Sequence, residues 1–170
     1  MIWAVPPAVP ATFNGPAYAL STPIDGMLAS VAATDGTYTE SALSFMLPVE
    51  PTNLAALKNR GAKVMVYHGV SDAIFSVNDT TSWYEGLRTA NGGDASNFAR
   101  LYRVPGMAHC AIGPSTDQFD MLTALVGWVE RGEAPDRVIA HARGAGNAIG
   151  ANPDVPSSWS PHRSRPLCPY

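Results

Sequence analysis

Val64-Met-Val-Tyr67, entered through Lys63 and closed by His68-Gly69, is a continuous apolar, β-branched run without polar alternation. A strand with one wet face alternates. A run of this kind reads as a strand covered on both faces, as in a parallel sheet. Just upstream, Asn53 is placed to cap a short helix over 54–60, and Gly61 is placed to stop it. Downstream, a helix is expected over 79–90, with Trp83, Leu87 and Ala90 on one face and Asn91-Gly92-Gly93 as its end. Ala99-Arg-Leu-Tyr-Arg-Val104 reads as a second strand closed by Pro105-Gly106. Thr116 then caps an expected helix over 117–131 whose apolar positions are Phe119, Leu122, Leu125, Val126 and Val129. Gly132 ends this helix, and Pro135 prevents a restart. Val138-Ile139-Ala140 is a last short strand candidate.

Strands separated by helices imply βαβ crossovers and a parallel sheet flanked by helices, so the fold class is α/β. In such sheets the chemistry sits on loops that leave the carboxyl ends of the strands. Two loops qualify. One reads His68-Gly-Val-Ser-Asp72-Ala73 and the other Val104-Pro-Gly-Met-Ala-His109-Cys110. The first supplies an acid, Asp72, and the second a base, His109, in the chain order that a serine triad of the α/β-hydrolase kind requires. A histidine moves the proton of a serine hydroxyl near neutral pH, and an aspartate fixes its tautomer and stabilises its cation. No G-x-S-x-G elbow stands upstream of Asp72. Gly69-Val-Ser71-Asp-Ala73 is a degenerate form of it, so Ser71 stands as an alternative nucleophile, although a helix is not expected directly behind it. His68 reads as a satisfied strand-end residue, His141 and His162 as solvated, and Trp83 and Trp128 as core.

Four stretches carry a resemblance: KVMVYHGVSDAIFSV, ARLYRVPGMAHCAIGP, FDMLTALVGWVERGEAPDRVIA and RSRPLCPY. In this order and spacing, over about residues 51–170, they resemble the end of the tannase and feruloyl esterase family. The resemblance implies the C-terminal part of an α/β-hydrolase fold. It implies a serine ester hydrolase acting on hydroxycinnamate or gallate esters, an aromatic-acid ester being the substrate. Asp72 and His109 are then the acid and base of its triad. Cys110 is implied to be bonded to the cysteine beside the serine. The family's lid, with its structural calcium, and its serine-bearing N-terminal half have no counterpart here, so no cofactor is expected in this chain and the missing half is the expected partner. Val70 and Ala73 stand where the family usually has Trp and Pro.

The bulk numbers exclude other classes. The chain has 170 residues, a net charge of −3 and only 15% charged residues. With no basic excess to replace phosphate counterions, a nucleic-acid partner is not expected. No window nears the roughly 18 apolar residues of a membrane span. The opening Met-Ile-Trp-Ala-Val-Pro-Pro lacks a basic region and is broken by Pro6, Pro7 and Pro10, so no signal peptide is read there. On that basis Cys110 and Cys168 read as two free thiols, whereas the resemblance implies an exported, oxidised protein, secreted or periplasmic. No histidine or cysteine spacing suggests a metal site.

Three segments are expected. Residues 1–50 form a connection leading from the lid, with Asp35-Gly36 a hairpin turn and 43–47 an apolar run of ambiguous type. Residues 51–143 form the C-terminal half of the catalytic domain, and 144–170 an irregular surface segment. The competing readings are a non-catalytic binding or assembly module, an inactive truncated product, and a minimal hydrolase using Ser71.

Overall fold

The computed structural model describes residues 11–46 and 48–170. The absence of a signal peptide, read from the first residues, and the Leu47 end of the apolar run fall outside these. The chain divides into two compact units, with the division between Val49 and Glu50.

The first unit carries three short helices: α1 (Gly15–Ser21), α2 (Ile24–Ala32) and α3 (Ala42–Met46). Asn14 caps α1 by accepting the Ala17 N–H at 3.0 Å. None of the three buries a residue. The expected hairpin at Asp35-Gly36 does not form among the described residues. The Asp35 side chain instead accepts the N–H groups of Thr37 and Tyr38, which makes a side-chain turn with no flanking strands.

The second unit holds α4 (Ala55–Asn59), β1 (Val64–Gly69), α5 (Val77–Ala90), β2 (Ala99–Val104), α6 (Met121–Arg131), β3 (Val138–His141) and β4 (Ser164–Leu167). β1 and β2 are parallel, in a register that runs from Val64 opposite Ala99 to Gly69 opposite Val104. The crossover between them is α5, as the sequence implied. Its cap is Ser76, so the helix starts two residues before the expected Asp79. α4 starts one residue late. Leu54 occupies its cap position; the Asn53 side chain accepts the Ala55 N–H at 3.4 Å and donates to the Glu50 carboxylate at 2.8 Å.

Alternation along β2 separates two cores. Ala99 and Leu101 join Tyr84, Leu87, Ala95 and Phe98 beneath α5. Tyr102 and Val104 join Met107, Met121, Val138, Ala140 and Leu167 on the other face. Leu87 and Leu101 are fully buried, and each such side chain contributes about 1.5–3 kcal/mol. β2 is therefore covered on both faces. β1, for which the same was expected, is mostly half-buried, because β2 is its only strand neighbour among the described residues.

The last expected helix is shorter than its pattern. Asp120, not Thr116, caps α6 by accepting the Thr123 N–H at 2.9 Å. Residues before it are held elsewhere: Gln118 pairs with His141 through two backbone hydrogen bonds, and Thr116 is buried. Gly132 ends the helix in the left-handed conformation, as expected. The buried side of α6 is Met121, Gly127 and Trp128, whereas Leu122, Val126 and Val129 from the expected apolar face are exposed. Trp83 is half-buried at the rim of its core and donates to the Pro51 carbonyl.

The segment after Arg143 is not wholly irregular. β4 pairs antiparallel with β3. Tyr170 N–H then bonds the Leu101 carbonyl on the free side of β2. Pro166 hid this strand from the sequence reading, since proline is tolerated only where the ladder needs no donor.

Candidate active site

Asp72 and His109 stand on the two loops that follow β1 and β2, and the parallel register brings those loops side by side. The ladder continues one step past β1, with Val70 N–H bonded to the Val104 carbonyl and Ser71 N–H to that of Met107. Gly69 makes this possible. A Cβ there would collide with the carbonyl oxygens of Met107 and Ala108, so only glycine lets the loops close.

His109 Nδ1 lies 2.9 Å from Asp72 Oδ2. An ionised carboxylate only accepts, so Nδ1 carries a proton and donates it to Asp72; in the neutral ring Nε2 then keeps its lone pair. That nitrogen has no hydrogen-bond partner among the described residues, and the His109 side chain is 41% exposed. The acid is held inside: the Asp72 side chain is 5% exposed, and its Oδ1 accepts the N–H groups of Ile74 and Phe75 at 2.8 and 3.0 Å. Burial alone would raise the Asp72 carboxyl. The hydrogen bonds from His109, Phe75 and Ile74 outweigh it and hold the carboxyl far below the ordinary range. The Phe75 ring lies 5.3 Å from the imidazole of His109.

The His109 loop is unusual in its backbone. Cys110 and Ile112 both adopt left-handed φ angles, 65° and 60°, a conformation that disfavours β-branched residues. A polar network holds Ile112 and the following Gly113 in place. Asp117 accepts the Ile112 N–H at 2.9 Å, Asp154 accepts the Gly113 N–H at 2.9 Å, and buried Asn152 donates to the Gly113 carbonyl. Arg143 pairs with Asp117. The sequence reading found none of these four residues. Asp117 lies five positions from Ile112, but the other contacts span 26 to 41 positions, beyond the reach of a spacing argument.

Ser71 does not have the geometry of a nucleophile elbow. Its φ is not left-handed, and α5 begins six residues later, at Val77. Cys110 and Cys168 are both exposed free thiols in this structure. His141 and His162 are exposed, as expected. Among the described residues no group of three or more His, Cys, Asp or Glu is placed to hold a metal ion.

Parallel strands that present an aspartate and then a histidine in contact at their carboxyl ends define the C-terminal portion of an α/β-hydrolase domain. The chain belongs to the tannase and feruloyl esterase family, whose profile matches residues 30–170. It is 49% identical over 138 residues to the mono(2-hydroxyethyl) terephthalate hydrolase of Piscinibacter sakaiensis, a match covering 81% of this chain and 21% of that protein. The crystal structure of feruloyl esterase B from Aspergillus oryzae superposes with a TM-score of 0.53 at 29% identity, covering 70% of this chain and 25% of that one. The tannin acyl hydrolase of Aspergillus niger shares the fold, with a TM-score of 0.56 over 75% of this chain and 24% of that one. The chain thus spans about a fifth to a quarter of the length of the relatives it matches.

Proposed function

We propose that this chain is the acid–base portion of a serine carboxylic-ester hydrolase that cleaves esters of aromatic acids of the feruloyl, galloyl or terephthaloyl type. The observation that carries the reading is the 2.9 Å contact between His109 Nδ1 and Asp72 Oδ2, on an imidazole whose side chain is partly exposed and whose other nitrogen has no hydrogen-bond partner among the described residues. Membership of a family whose relatives are feruloyl esterases and a terephthalate monoester hydrolase supports the ester class.

In this reaction His109 Nε2 takes the proton of a serine hydroxyl as the oxygen attacks the ester carbonyl. Asp72 stabilises the imidazolium. The tetrahedral intermediate collapses, the C–O bond to the alcohol breaks, and His109 returns the proton to that alcohol. Water, deprotonated by the same nitrogen, then releases the acid and restores the serine. The serine belongs to the part of the protein that the relatives have beyond this match. On this reading Cys110 bonds a cysteine adjoining that serine, which fixes nucleophile to base, and the protein works outside the cytoplasm. The lid and its calcium belong to the same absent part.

The test is turnover of methyl ferulate and a nitrophenyl ester by the pure 170-residue chain, and by the chain joined to the serine-bearing part of a relative. The chain alone is expected to be inactive, and the assembled protein to lose activity about a thousandfold or more on His109→Ala. Turnover by the chain alone that vanishes in Ser71→Ala would overturn the reading in favour of a minimal hydrolase.

A further inference from the structure

The Asp72 carboxylate has a second histidine beside it. His68, the penultimate residue of β1, places Nε2 3.4 Å from Asp72 Oδ2, the oxygen that also receives His109. The same Nε2 lies 3.1 Å from the Phe75 carbonyl, and Nδ1 lies 2.8 Å from Thr80 Oγ1 in the first turn of α5. These contacts fix the tautomer. A carbonyl oxygen can only accept, so Nε2 must carry the proton; Nδ1 is then the acceptor and the Thr80 hydroxyl donates to it. The side chain is only 13% exposed, so water offers little competition.

We infer that His68 is a positioning residue for the acid: its Nε2–H, bonded to the Phe75 carbonyl and standing 3.4 Å from Asp72 Oδ2, holds the turn that carries the carboxylate in the orientation that receives His109. The inference rests on the reading of His109 as a base oriented by Asp72. Three fixed points support it. Ile74 and Phe75 N–H groups pin Oδ1, His68 pins the Phe75 carbonyl and flanks Oδ2, and Thr80 pins His68 to the helix. The turn after Asp72 is therefore tied to its own carboxylate by two N–H groups and to β1 and α5 through His68, while Oδ2 receives His109. A residue that merely filled space at this strand end would need no defined tautomer.

The experiment is long-range 15N–1H correlation of the histidine rings in the 170-residue chain, which reads the tautomer of each imidazole without any ester turnover. In the wild type, His109 is expected as the Nδ1–H form and His68 as the Nε2–H form. His68→Gln keeps an N–H donor near the Nε2 position, and His68→Asn moves its amide back to the Nδ1 position. The Gln variant is expected to keep the His109 tautomer ratio, and the Asn variant to lower it roughly tenfold, the scale of one hydrogen bond to a charged group. Both substitutions keep a polar side chain, so a folding defect common to both does not mimic the split. Equal His109 ratios in the wild type, Gln and Asn variants would overturn the inference, as would loss in the Gln variant. A wild-type His109 in the Nε2–H form would instead overturn the acid–base reading beneath it, so the two failures are distinguishable.

Discussion

Arg143 grips Asp117 at two points, Nη2 to Oδ2 at 2.6 Å and Nε to Oδ1 at 3.1 Å. The Asp117 side chain is wholly buried and that of Arg143 nearly so. The same carboxylate accepts the Ile112 N–H and lies 3.3 Å from the Asn152 amide, so one ion pair ties the segment after β3 to the loop that carries His109. Removing the cation strands a buried anion, which costs about 3–5 kcal/mol. Arg143→Met is therefore expected to lower unfolding free energy by about 3 kcal/mol in urea titration at neutral pH.

This pair also sets a pH dependence. Burial raises the Asp117 carboxyl, but hydrogen bonds from Arg143 and the Ile112 N–H lower it by more, so the folded value lies below the unfolded one. Its stabilisation is complete above the unfolded value of about 3.9 and is lost as pH falls through the folded value. In Arg143→Met the carboxyl has no cation and is relieved by protonation. The gap between wild type and variant should narrow as pH is lowered from about 5 toward 2. A gap independent of pH would mean that Arg143 acts by packing alone.

Ile112 provides a second test of the same loop. A β-branched residue at φ 60° is strained by about 1–2 kcal/mol, and the strain persists because Asp117 and the Ala108 and Ser115 donors hold its N–H and carbonyl. Ile112→Gly is expected to raise stability by about 1 kcal/mol, read from the shift of the urea midpoint. A fall instead would show that the half-exposed side chain contributes more by packing than the backbone loses by strain.

Gly69 decides how near the two loops can come. Gly69→Ala puts a methyl group into the carbonyl oxygens of Met107 and Ala108, which are backbone and cannot turn aside. The expected outcome is loss of the Nδ1–H form of His109 in ring 15N spectra, with a destabilisation of about 2 kcal/mol or more. Retention of both would show that the loops have room to separate without breaking the Asp72–His109 contact.

The parts of this protein legible in the sequence are those with local causes. The β-branched run at Val64–Tyr67, the stop at Gly132 and the order of Asp72 before His109 each follow from neighbours a few residues away, and each stands in the structure. What was not legible depends on distant partners. Thr116 fits a cap by pattern, yet Gln118 is held by His141 and the helix waits until Asp120. β4 is disguised by Pro166 and exists because β3 offers an edge. His68 looked like a quiet strand end, and only the fold shows its Nε2 beside Asp72.

On the proposed function, the exposed apolar side of α6 is the face on which a serine-bearing part would dock. Leu122, Val126 and Val129 recur at helical spacing and are 71%, 38% and 56% exposed. Near the same side, Tyr67 is about half exposed and stacks edge-on against Phe119, and Met65, Leu122 and Leu125 continue the groove. Among the described residues, the outer edge of β1 beside it has no strand partner. A helix stripe and a strand edge exposed together are what a continuing parallel sheet would cover, and exposed they favour self-association. Leu122→Lys with Val129→Lys is expected to change the chain's own unfolding free energy by less than about 0.5 kcal/mol, because neither side chain packs within it. The same pair of changes should convert an associating chain into a monomer in sedimentation velocity. It should also abolish recovery of esterase activity when the chain is combined with the serine-bearing part of a relative. A large loss of stability in the isolated monomer would show that the stripe belongs to this chain's own core, and the docking assignment would fall.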